Sequence, residues 1–584
     1  MKKHLNKIVK WVISIFLVLV LIIGGGIVFM YTTAFKLEPW DYSKKHSLTK
    51  LPEQPNILLL VAEDMSSRVG AFGDSIALTP NIDKLALKGI RFTNVFTTAG
   101  VCAPSRAGLI TGMNQISMGG QHMRTGSRPN GGYYCVPPPQ VKAFPELLRA
   151  AGYYTFNIAK EDYQFSGMRT KTGPFTIWDA EDDNQLWRNR DDNQPFFGMI
   201  NFMETHETGL FTPLGNKPHS LIHFIMQLIR PAMLISRSIG KEGKEIDPDK
   251  IKLPPYYLDT KTVRKDIARF YKNINAMDNV VGDILERLEK DGLASSTIVI
   301  WTTDHGDCLP RAKRDLTDSG LKVPMVIYWP EAYRPENLKP GEIDYELMSF
   351  VDIAPTLLDI AKAPKPSYLQ GINILSDTAR EYIYAAKDRI DEVYYRERAV
   401  RDKHYKYIKS WYPEIPDGTH IKFRDNIEMM REMWDLKERG KLDSKQQMWF
   451  EPTGEERLYD IQKDPFELLN LVNDTSYRDT LNRMRFALDE WLNRIDDWSE
   501  VTEDDMVKKF YPNGKHQITP KPEITTNNNT IVISCSENAA SIGYKIGEGP
   551  WLLYTNPINI STNARVTAKA IRYGWEESEE VKLK

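Results

Sequence analysis

Short apolar runs with polar ends predict buried strands at three places along the chain. The runs cover residues 55–64, 296–304 and 323–329. Continuous apolar stretches of this length, bounded by proline or acidic residues, are typical of parallel strands that are covered on both faces. Amphipathic stretches lie between them, such as residues 266–291 and a helix expected to start at Pro104. Strands that alternate with helices predict an α/β domain with a doubly wound mixed sheet flanked by helices.

Acidic residues and a histidine follow two of these runs. Glu63 and Asp64 end the first run, and Asp304 and His305 end the second. In doubly wound sheets, ligands bind beyond the carboxyl ends of the strands. We therefore expect these four side chains to meet at one edge of the sheet and to hold a metal ion there.

The rest of the chain divides where this pattern changes. We assign residues 53–380 to the main α/β domain, with an insertion at residues 207–255. Within the insertion, residues 221–239 are apolar with Pro231 in their middle, which predicts two short helices. These helices either cover the active-site face or form an ordinary core hairpin. Residues 381–515 are expected to form a smaller α+β subdomain, and the short alternating runs of residues 521–584 predict a small β-sandwich module.

The N-terminus has a pattern of its own. Residues 11–31 are apolar and uncharged, and Lys2, Lys3 and Lys7 precede them. About 20 apolar residues suffice to cross a bilayer, whereas the apolar part of a secretory signal has about 7–15. We expect residues 1–35 to be a membrane anchor or a signal segment, followed by a polar tether at residues 36–52. The positive-inside rule then places the rest of the chain outside the cytoplasm, in the periplasm or extracellular space. If the segment is cleaved, the protein would be secreted.

Charge and cysteine content argue against three classes of protein. Lys and Arg number 76 against 78 Asp and Glu, a near-neutral balance that argues against a nucleic-acid partner. The four cysteines, at positions 102, 135, 308 and 535, are too widely spaced for a zinc finger and do not suggest a disulfide framework.

The most informative segment is residues 101–112, Val-Cys-Ala-Pro-Ser-Arg-Ala-Gly-Leu-Ile-Thr-Gly. It resembles the signature of the type I sulfatases, C-x-P-S-R followed by L-x-T-G. The similarity to this family, within the alkaline phosphatase superfamily, extends in matching order from about residue 54 to about residue 475. The resemblance implies that Cys102 is oxidised to Cα-formylglycine by a formylglycine-generating enzyme or an anaerobic sulfatase maturase. A hydrated aldehyde offers one hydroxyl to attack sulfur and a second to expel the product, which a thiol does not.

The same resemblance assigns the metal ligands. Glu63 and Asp64 fall on the family's paired acidic ligands, Asp304 and His305 fall on its later pair, and the modified Cys102 completes the set. Because carboxylate oxygens dominate, the set favours Ca²⁺, with Mg²⁺ as the lesser alternative. At position 63 the family more commonly has Asp, so the extra methylene of Glu63 changes the reach of this ligand.

The resemblance also names groups that would hold and protonate the sulfate. Arg106 lies in the signature and would bind the hydrated formylglycine through charge-assisted hydrogen bonds. Lys160 ends a segment similar to G-Y-x-T-x-x-x-G-K, and Lys313 matches the lysine of K-x-x-L-Y-E-G-G-x-R-V-P; both would grip sulfate oxygens. His206 matches the end of F-F-x-x-x-x-F-x-x-x-H and is our first choice of general acid, with either lysine as the alternative donor.

One position departs from the family in a way that bears on the reaction. Two residues after Lys160 the family usually has a histidine that helps to deprotonate the second diol hydroxyl, and this chain has Asp162. Either Asp162 acts as that base or another group does, and His122 is the obvious substitute. We expect the substrate-binding residues to be Gln121, His122, Arg124 and Asp162.

The stretch from residue 195 to Lys313 resembles the heparan N-sulfatase (sulfamidase) branch of the family. We therefore expect a sulfatase that hydrolyses sulfate esters or sulfamates of sulfated carbohydrates. Two alternatives stay open: a formylglycine-dependent phosphonate or phosphodiester hydrolase of the same superfamily, and a protein that binds sulfated glycans without turnover. The sequence does not name the sugar, the sulfated position, or N- versus O-sulfate.

Overall fold

The computed structural model describes residues 51–127, 131–237, 242–527, 529–559 and 565–583, together with Trp11, Ser14, Trp40 and Asp41. Apart from Trp11 and Ser14, the predicted membrane segment at residues 11–31 therefore lies outside the described residues. Within the described ranges, no helix combines the length and apolar content that crossing a bilayer requires.

A mixed sheet of nine strands, counted over the described residues, forms the centre of the main domain, and this confirms the predicted fold class. Its strands are β1 (Asn56–Ala62), β2 (Ile90–Phe96), β3 (Tyr154–Ile158), β4 (Ala180–Glu181), β5 (Phe196–Phe202), β6 (Thr297–Thr303), β7 (Lys322–Tyr328), β8 (Ile343–Asp344) and β9 (Met348–Ser349). The order is β4-β3-β5-β1-β6-β7-β2-β8, with β9 beside β2. The first predicted strand, β1, is parallel to both of its neighbours, β5 and β6.

Helices cover both faces of this sheet. In the described part of the chain the α-helices are α1 (Pro80–Lys88), α2 (Cys102–Thr111), α3 (Phe144–Ala150), α4 (Leu221–Arg237), α5 (Lys261–Lys290), α6 (Asp318–Leu321), α7 (Ile353–Ile360), α8 (Glu428–Glu438), α9 (Ser444–Gln447), α10 (Arg478–Arg494) and α11 (Glu503–Phe510). Leu58 and Leu60 of β1 belong to the apolar core that includes α5. Ile57, Leu59 and Val61 belong to the core on the other face, which includes α2. Burial on both faces explains why the sequence of β1 is continuously apolar.

The third predicted strand runs in the opposite direction to the first two, because β7 is antiparallel to β6. Parallel neighbours need a crossover connection that returns the chain to the starting edge of the sheet. The connection at residues 304–321 instead places Lys313 against Asp64, at the carboxyl edge of β1. The chain re-enters the sheet from that edge, and the reversal is what delivers Lys313 to the predicted metal site.

Two helices begin earlier than predicted. Helix α2 begins at Cys102 rather than at Pro104, and all ten of its residues are buried. Pro104 occupies the first turn, where backbone N–H groups have no partner within the helix, so its missing N–H is tolerated. Helix α5 begins at Lys261 because the side chain of Thr260 accepts the backbone N–H of Val263 and caps it.

Among its described residues, the insertion contains one α-helix where two were predicted. A short 3₁₀ turn, Glu207–Leu210, is followed by α4, which runs through Pro231 without a break. Proline removes one backbone hydrogen bond, and a helix that is held elsewhere tolerates this loss. Here Nε2 of Gln227 donates to the carbonyl oxygen of Thr212 at 2.9 Å, one turn before the proline.

Two units of antiparallel strands follow the main domain. The first consists of β10 (Ile383–Lys387), β11 (Glu397–Arg401), β12 (Tyr405–Ser410) and β13 (Glu456–Asp460), and it shares an apolar core with α10. The second consists of two small sheets, β14 (Glu523–Asn527), β15 (Thr530–Ser534) and β18 (Ile558–Asn559) in one, and β17 (Leu552–Leu553), β16 (Ser541–Ile546), β19 (Val566–Ile571) and β20 (Val581–Leu583) in the other. Ile531 and Ile533 from one sheet form a core with Val566 and Ala568 from the other, as in a small sandwich.

This terminal sandwich packs against the main domain. Glu146 of α3 accepts hydrogen bonds from the hydroxyls of Ser541 at 2.5 Å and Tyr573 at 2.7 Å. The ring of Tyr573 also stacks on Phe165 with a centroid separation of 4.9 Å. Phe165 belongs to the loop after Lys160, so the sandwich supports a loop that carries predicted site residues.

Candidate active site

The carboxyl ends of β1 and β6 bring the predicted metal ligands together. These two strands are parallel neighbours in register, so the residues that follow them leave the sheet side by side. Glu63 and Asp64 follow β1, Asp304 and His305 follow β6, and Cys102 joins them from the first turn of α2. All five residues are fully buried. The predicted meeting of these side chains at the strand ends is therefore observed, the signature cysteine lies among them, and their role as metal ligands stays a prediction.

Asp64 lies at the centre of this cluster. Its Oδ1 is 2.9 Å from Nε2 of His305 and 3.5 Å from Sγ of Cys102, and its Oδ2 is 2.5 Å from Nζ of Lys313. The backbone N–H of Glu207 donates to the same Oδ2 at 2.8 Å. Burial raises the pKa of Asp64, but Lys313 and the two neighbouring histidines together outweigh burial and hold the pKa well below its ordinary value. Asp64 is therefore a carboxylate.

Glu63 pairs with two of the predicted site cations, Arg106 and Lys160. One of its carboxylate oxygens contacts Arg106 and the other contacts Lys160. Arg106 also donates from Nε to Oδ2 of Asp304 at 3.2 Å. Burial lowers the pKa of both cations, but nearby negative groups raise it. Glu63 raises the pKa of Arg106, and Cys102 and Glu63 raise the pKa of Lys160, so both pKa values lie above their ordinary range. Both side chains stay charged.

The donor set fits a hard divalent cation. Ligand atoms of Asp64, Cys102, Asp304 and His305 lie within 4.8 Å of one another, and so do those of Glu63, Asp64, Cys102 and His206. Three carboxylates dominate the set, as Ca²⁺ and Mg²⁺ require. The Sγ atom of Cys102 marks the place that an oxygen of formylglycine would take, whereas a thiolate itself would favour a softer metal. Because three nearby cations already balance the three carboxylates, a divalent ion would leave the site positive toward a sulfate group.

The ring of His305 is oriented for metal binding. Its Nδ1 donates to the carbonyl oxygen of Gly306 at 3.0 Å, and its Nε2 lies 3.3 Å from Sγ of Cys102. Metal-binding histidines usually donate their second N–H to a carbonyl in this way. Burial lowers the pKa of His305, but Asp304, Cys102 and Asp64 raise it to about 10. The groups that hold a proton on Nε2 are the ones that would surround a metal ion.

His206 is oriented to donate a proton from Nε2. Its Nδ1 accepts the backbone N–H of Thr208 at 3.3 Å, which leaves the ring proton of the neutral form on Nε2. Burial lowers the pKa of His206, and the positive charges of Lys313 and Lys160 lower it further. Asp64 raises it, but the pKa still lies well below its ordinary value. In this neutral form the Nε2–H can hydrogen-bond the leaving oxygen, whereas general acid catalysis requires the imidazolium, which these surroundings disfavour; the general-acid role of His206 stays a prediction.

Replacing His206 by Gln is expected to lower kcat on carbohydrate sulfates by about 10²–10⁴-fold, the usual contribution of general acid catalysis. A good leaving group needs no proton, so 4-nitrophenyl sulfate should lose far less. The check is kcat of wild type and His206→Gln on both substrates. Equal losses on the two would contradict this role and indicate a lysine donor.

Two of the four predicted substrate-binding residues lie beside Lys160. The Oδ2 atom of Asp162 is 3.7 Å from Nζ of Lys160 and 3.7 Å from Nη2 of Arg124. Asp162 and Arg124 have φ values of 60° and 46°, in the left-handed region that non-glycine residues rarely adopt and that concentrates at functional sites. The side chain of Arg124 is 26% exposed, so the site reaches solvent on this side.

Gln121 and His122 make contacts of another kind. Nε2 of Gln121 lies 3.8 Å from the sulfur of Met506, and Nδ1 of His122 accepts the backbone N–H of Arg389 at 3.2 Å. Both side chains are buried. These contacts tie the segment to the C-terminal units, and the substrate-binding role of Gln121 and His122 stays a prediction.

Asp162→Asn distinguishes the two candidates for the missing family histidine. Asn keeps the shape of the side chain but removes the charge beside Lys160. If Asp162 is the base, kcat should fall by about 10²-fold, while His122→Gln should leave kcat close to the wild-type value. Steady-state kinetics on one sulfated oligosaccharide measure both. A higher KM with unchanged kcat in Asp162→Asn would instead assign Asp162 to substrate binding.

Three further residues belong to the site although they were not among the predicted ones. Asn201, near the end of β5, accepts from Nη1 of Arg106 at 2.7 Å. Glu207 accepts two hydrogen bonds from Arg314, at 2.7 and 2.9 Å. A signal was available, since Glu207 and Arg314 directly follow His206 and Lys313, but their pairing depends on tertiary structure.

Known proteins resemble this chain to different degrees. The chain matches the family model described as Sulfatase over residues 55–363 and the model described as N-sulphoglucosamine sulphohydrolase, C-terminal, over residues 311–445. It is 39% identical to a Formosa agariphila protein named ulvan-active sulfatase, over 92% of this chain and 93% of that protein. It is 26% identical to human N-sulphoglucosamine sulphohydrolase, over 75% and 89% of the two chains. The solved structure of a 2-O GAG sulfatase matches the fold with a TM-score of 0.51 at 20% identity, over 77% of this chain and 94% of that chain.

Proposed function

Because the chain belongs to the sulfatase family and is therefore a sulfuric ester hydrolase, we propose that it desulfates carbohydrates with a formylglycine made from Cys102. One observation carries this proposal. Sγ of Cys102 lies 3.5 Å from Oδ1 of Asp64 and 3.3 Å from Nε2 of His305, among the buried carboxylates and cations described above. An ordinary structural cysteine would not need such surroundings.

The residues around Cys102 have different proposed roles. When present, the formylglycine supplies two geminal hydroxyls and the divalent cation, which we propose to be Ca²⁺, supplies a Lewis acid. Glu63, Asp64, Asp304 and His305 would hold the cation. Lys160 and Lys313 would bind sulfate oxygens, and Arg106 keeps Glu63 and Asp304 in place through its ion pairs. His206 would present the N–H of Nε2 to the leaving oxygen.

The proposed substrate is a sulfated polysaccharide or a fragment of one. The name of the Formosa agariphila relative, ulvan-active sulfatase, supports this class and makes ulvan the first substrate to test. The N-sulphoglucosamine sulphohydrolase similarity adds N-sulfated glucosamine as the second. The partly exposed Arg124 offers a positive charge to an anionic sugar at the solvent side of the site.

A substrate panel tests the proposal. The enzyme is produced in a host with a formylglycine maturase and incubated with ulvan oligosaccharides, N- and O-sulfated glucosamine and a phosphodiester. We expect sulfate release from at least one sulfated sugar and little phosphodiester turnover. Phosphodiester turnover without sulfate release would favour the phosphoryl hydrolase, and binding without any turnover would favour a glycan-binding protein.

We also propose that the enzyme works outside the cytoplasm, attached through residues 11–31 and activated by a maturase. The apolar run and the lysines before it support this placement. Protease treatment of intact cells of the native host, after removal of any outer barrier, should digest the catalytic domain. Protection of the domain under those conditions would contradict the placement.

A further inference from the structure

Helix α4 turns polar side chains and Ile229 toward the protein, while several large apolar side chains are exposed to solvent. His223 and Gln227 are buried, whereas Leu221, Ile222 and Phe224 are 74%, 40% and 36% exposed. An amphipathic surface helix normally has the reverse arrangement. An apolar face left in water is unfavourable, and a contiguous one marks a surface with a partner.

Hydrogen bonds hold the inner side of α4, together with the buried Ile229 and the partly buried Met226. Gln227 donates to the carbonyl oxygen of Thr212 at 2.9 Å, and Arg230 donates to the carbonyl oxygen of Glu204 at 2.7 Å. Between α4 and α5 lies a cavity of about 620 Å³, with Arg269 of α5 in its wall. The polar side chains of α4 therefore have hydrogen-bond partners within the protein, and these contacts fix the apolar side chains in an outward orientation.

The N-terminal chain limits where a bilayer can lie. Nε1 of Trp40 donates to Asp291 at 3.2 Å, and the guanidinium carbons of Arg188 and Arg287 lie 3.8 Å and 4.9 Å from the centre of a Trp40 ring. Trp40 is thus fixed to the main domain. Residues 32–39 separate it from the predicted membrane segment, and a chain of that length reaches about 30 Å at most.

Trp40 and α4 lie on the same side of α5, at different points along its length. Arg269, in the wall of the cavity under α4, precedes Arg287 by 18 residues. Eighteen residues make five turns, so the two side chains share one face of α5 about 27 Å apart. A bilayer that holds residues 11–31 can therefore reach both Trp40 and α4.

The charge around α4 suits an anionic bilayer. Residues 213–252 contain seven basic and four acidic residues, in a chain of net charge −2. One of the basic residues, Arg230, is turned toward the protein, and the other six still outnumber the acidic ones. An apolar helix face with basic flanks is typical of helices that lie in the interface of an anionic membrane. We propose that α4 lies on such a membrane with Leu221, Ile222 and Phe224 in contact with lipid. The proposal rests on the predicted membrane segment and not on the sulfatase activity.

The test is lipid photocrosslinking of the full chain. The protein is reconstituted in vesicles of phosphatidylcholine and phosphatidylglycerol that contain a lipid with a photoreactive group on its acyl chain, and adducts are mapped by mass spectrometry. We expect adducts within residues 221–228, fewer in vesicles of phosphatidylcholine alone, and none at α4 in the Leu221→Ser, Ile222→Ser, Phe224→Ser triple variant. Leu87→Ser with Phe486→Ser is the matched control, because these side chains are 74% and 66% exposed elsewhere, and it should keep the α4 adducts.

Two results would overturn the proposal. Adducts confined to residues 11–31 would show that α4 does not touch lipid. Absence of α4 adducts, together with a dimer in detergent that the triple variant converts to a monomer, would show that a second copy of the chain covers the face. Sulfate release by the triple variant in detergent should equal that of the wild type, which separates this test from that of the sulfatase function.

Discussion

Cys102→Ala is expected to lower sulfate release by at least about 10⁴-fold, the scale on which removal of a covalent nucleophile acts. The substitution removes the thiol that oxidation would replace with the formylglycine oxygen, while the helix around it stays packed, since all ten residues of α2 are buried. The variant should therefore fold and still bind metal through its carboxylates. Initial rates of sulfate release and the thermal unfolding temperature are the measurements.

Cys135→Ala is the matched control for this substitution. Cys135 is also fully buried, and burial raises the pKa of its thiol well above the ordinary value, as expected for an inert structural cysteine. Its variant should retain wild-type rates. Comparable losses in both variants would point to disturbed packing, and full activity in Cys102→Ala would contradict the proposed nucleophile.

Removal of the divalent cation is expected to cost about 10³-fold in rate, because a metal at the sulfate oxygens contributes several kcal/mol of charge stabilisation. Added Ca²⁺ should restore more activity than Mg²⁺, since irregular carboxylate sites suit calcium better than the strict octahedron of magnesium. Activity and metal content are followed together after chelation and during titration with each ion. Full activity in metal-free enzyme would contradict the assignment.

Asp304→Asn tests the metal-binding role of this carboxylate separately from catalysis. Asp304 is fully buried and forms an ion pair with Arg106. If it is a metal ligand, loss of its charge should lower the number of metal ions bound per chain. Asp388→Asn is the control, because Asp388 is a buried carboxylate paired with Arg398 in the first antiparallel unit. One metal ion bound by both variants, as in wild type, would exclude Asp304 as a ligand.

Much of the fold follows from the apolar patterning, because burial on both faces leaves a distinct sequence. The positions of β1 and β6 and their parallel pairing are examples. The direction of β7 did not follow, since the sequence of a strand does not state the edge from which the chain enters it. The unbroken helix at Pro231 depends on hydrogen bonds to Thr212, which no local pattern contains.

The site shows the same division between local and tertiary information. Strand ends and the signature placed the carboxylates, His305 and Cys102 correctly at one point. The ion pairs of Glu63 with Arg106 and Lys160 join distant parts of the chain, and they show that the longer side chain of Glu63 still reaches the cluster. The tautomer of His206 depends on the backbone of Thr208, so the sequence could suggest a histidine but not the nitrogen that carries its proton.

The mass of the tryptic peptide of residues 92–106, from enzyme produced with and without a maturase, shows whether Cys102 becomes formylglycine, and sulfate release is measured on the same samples. We expect that, with the maturase, the Cys102 side chain loses its sulfur and two hydrogens and gains one oxygen, and that sulfate release rises with the fraction of modified peptide. Sulfate release at the full rate from enzyme with an unmodified Cys102 would contradict it.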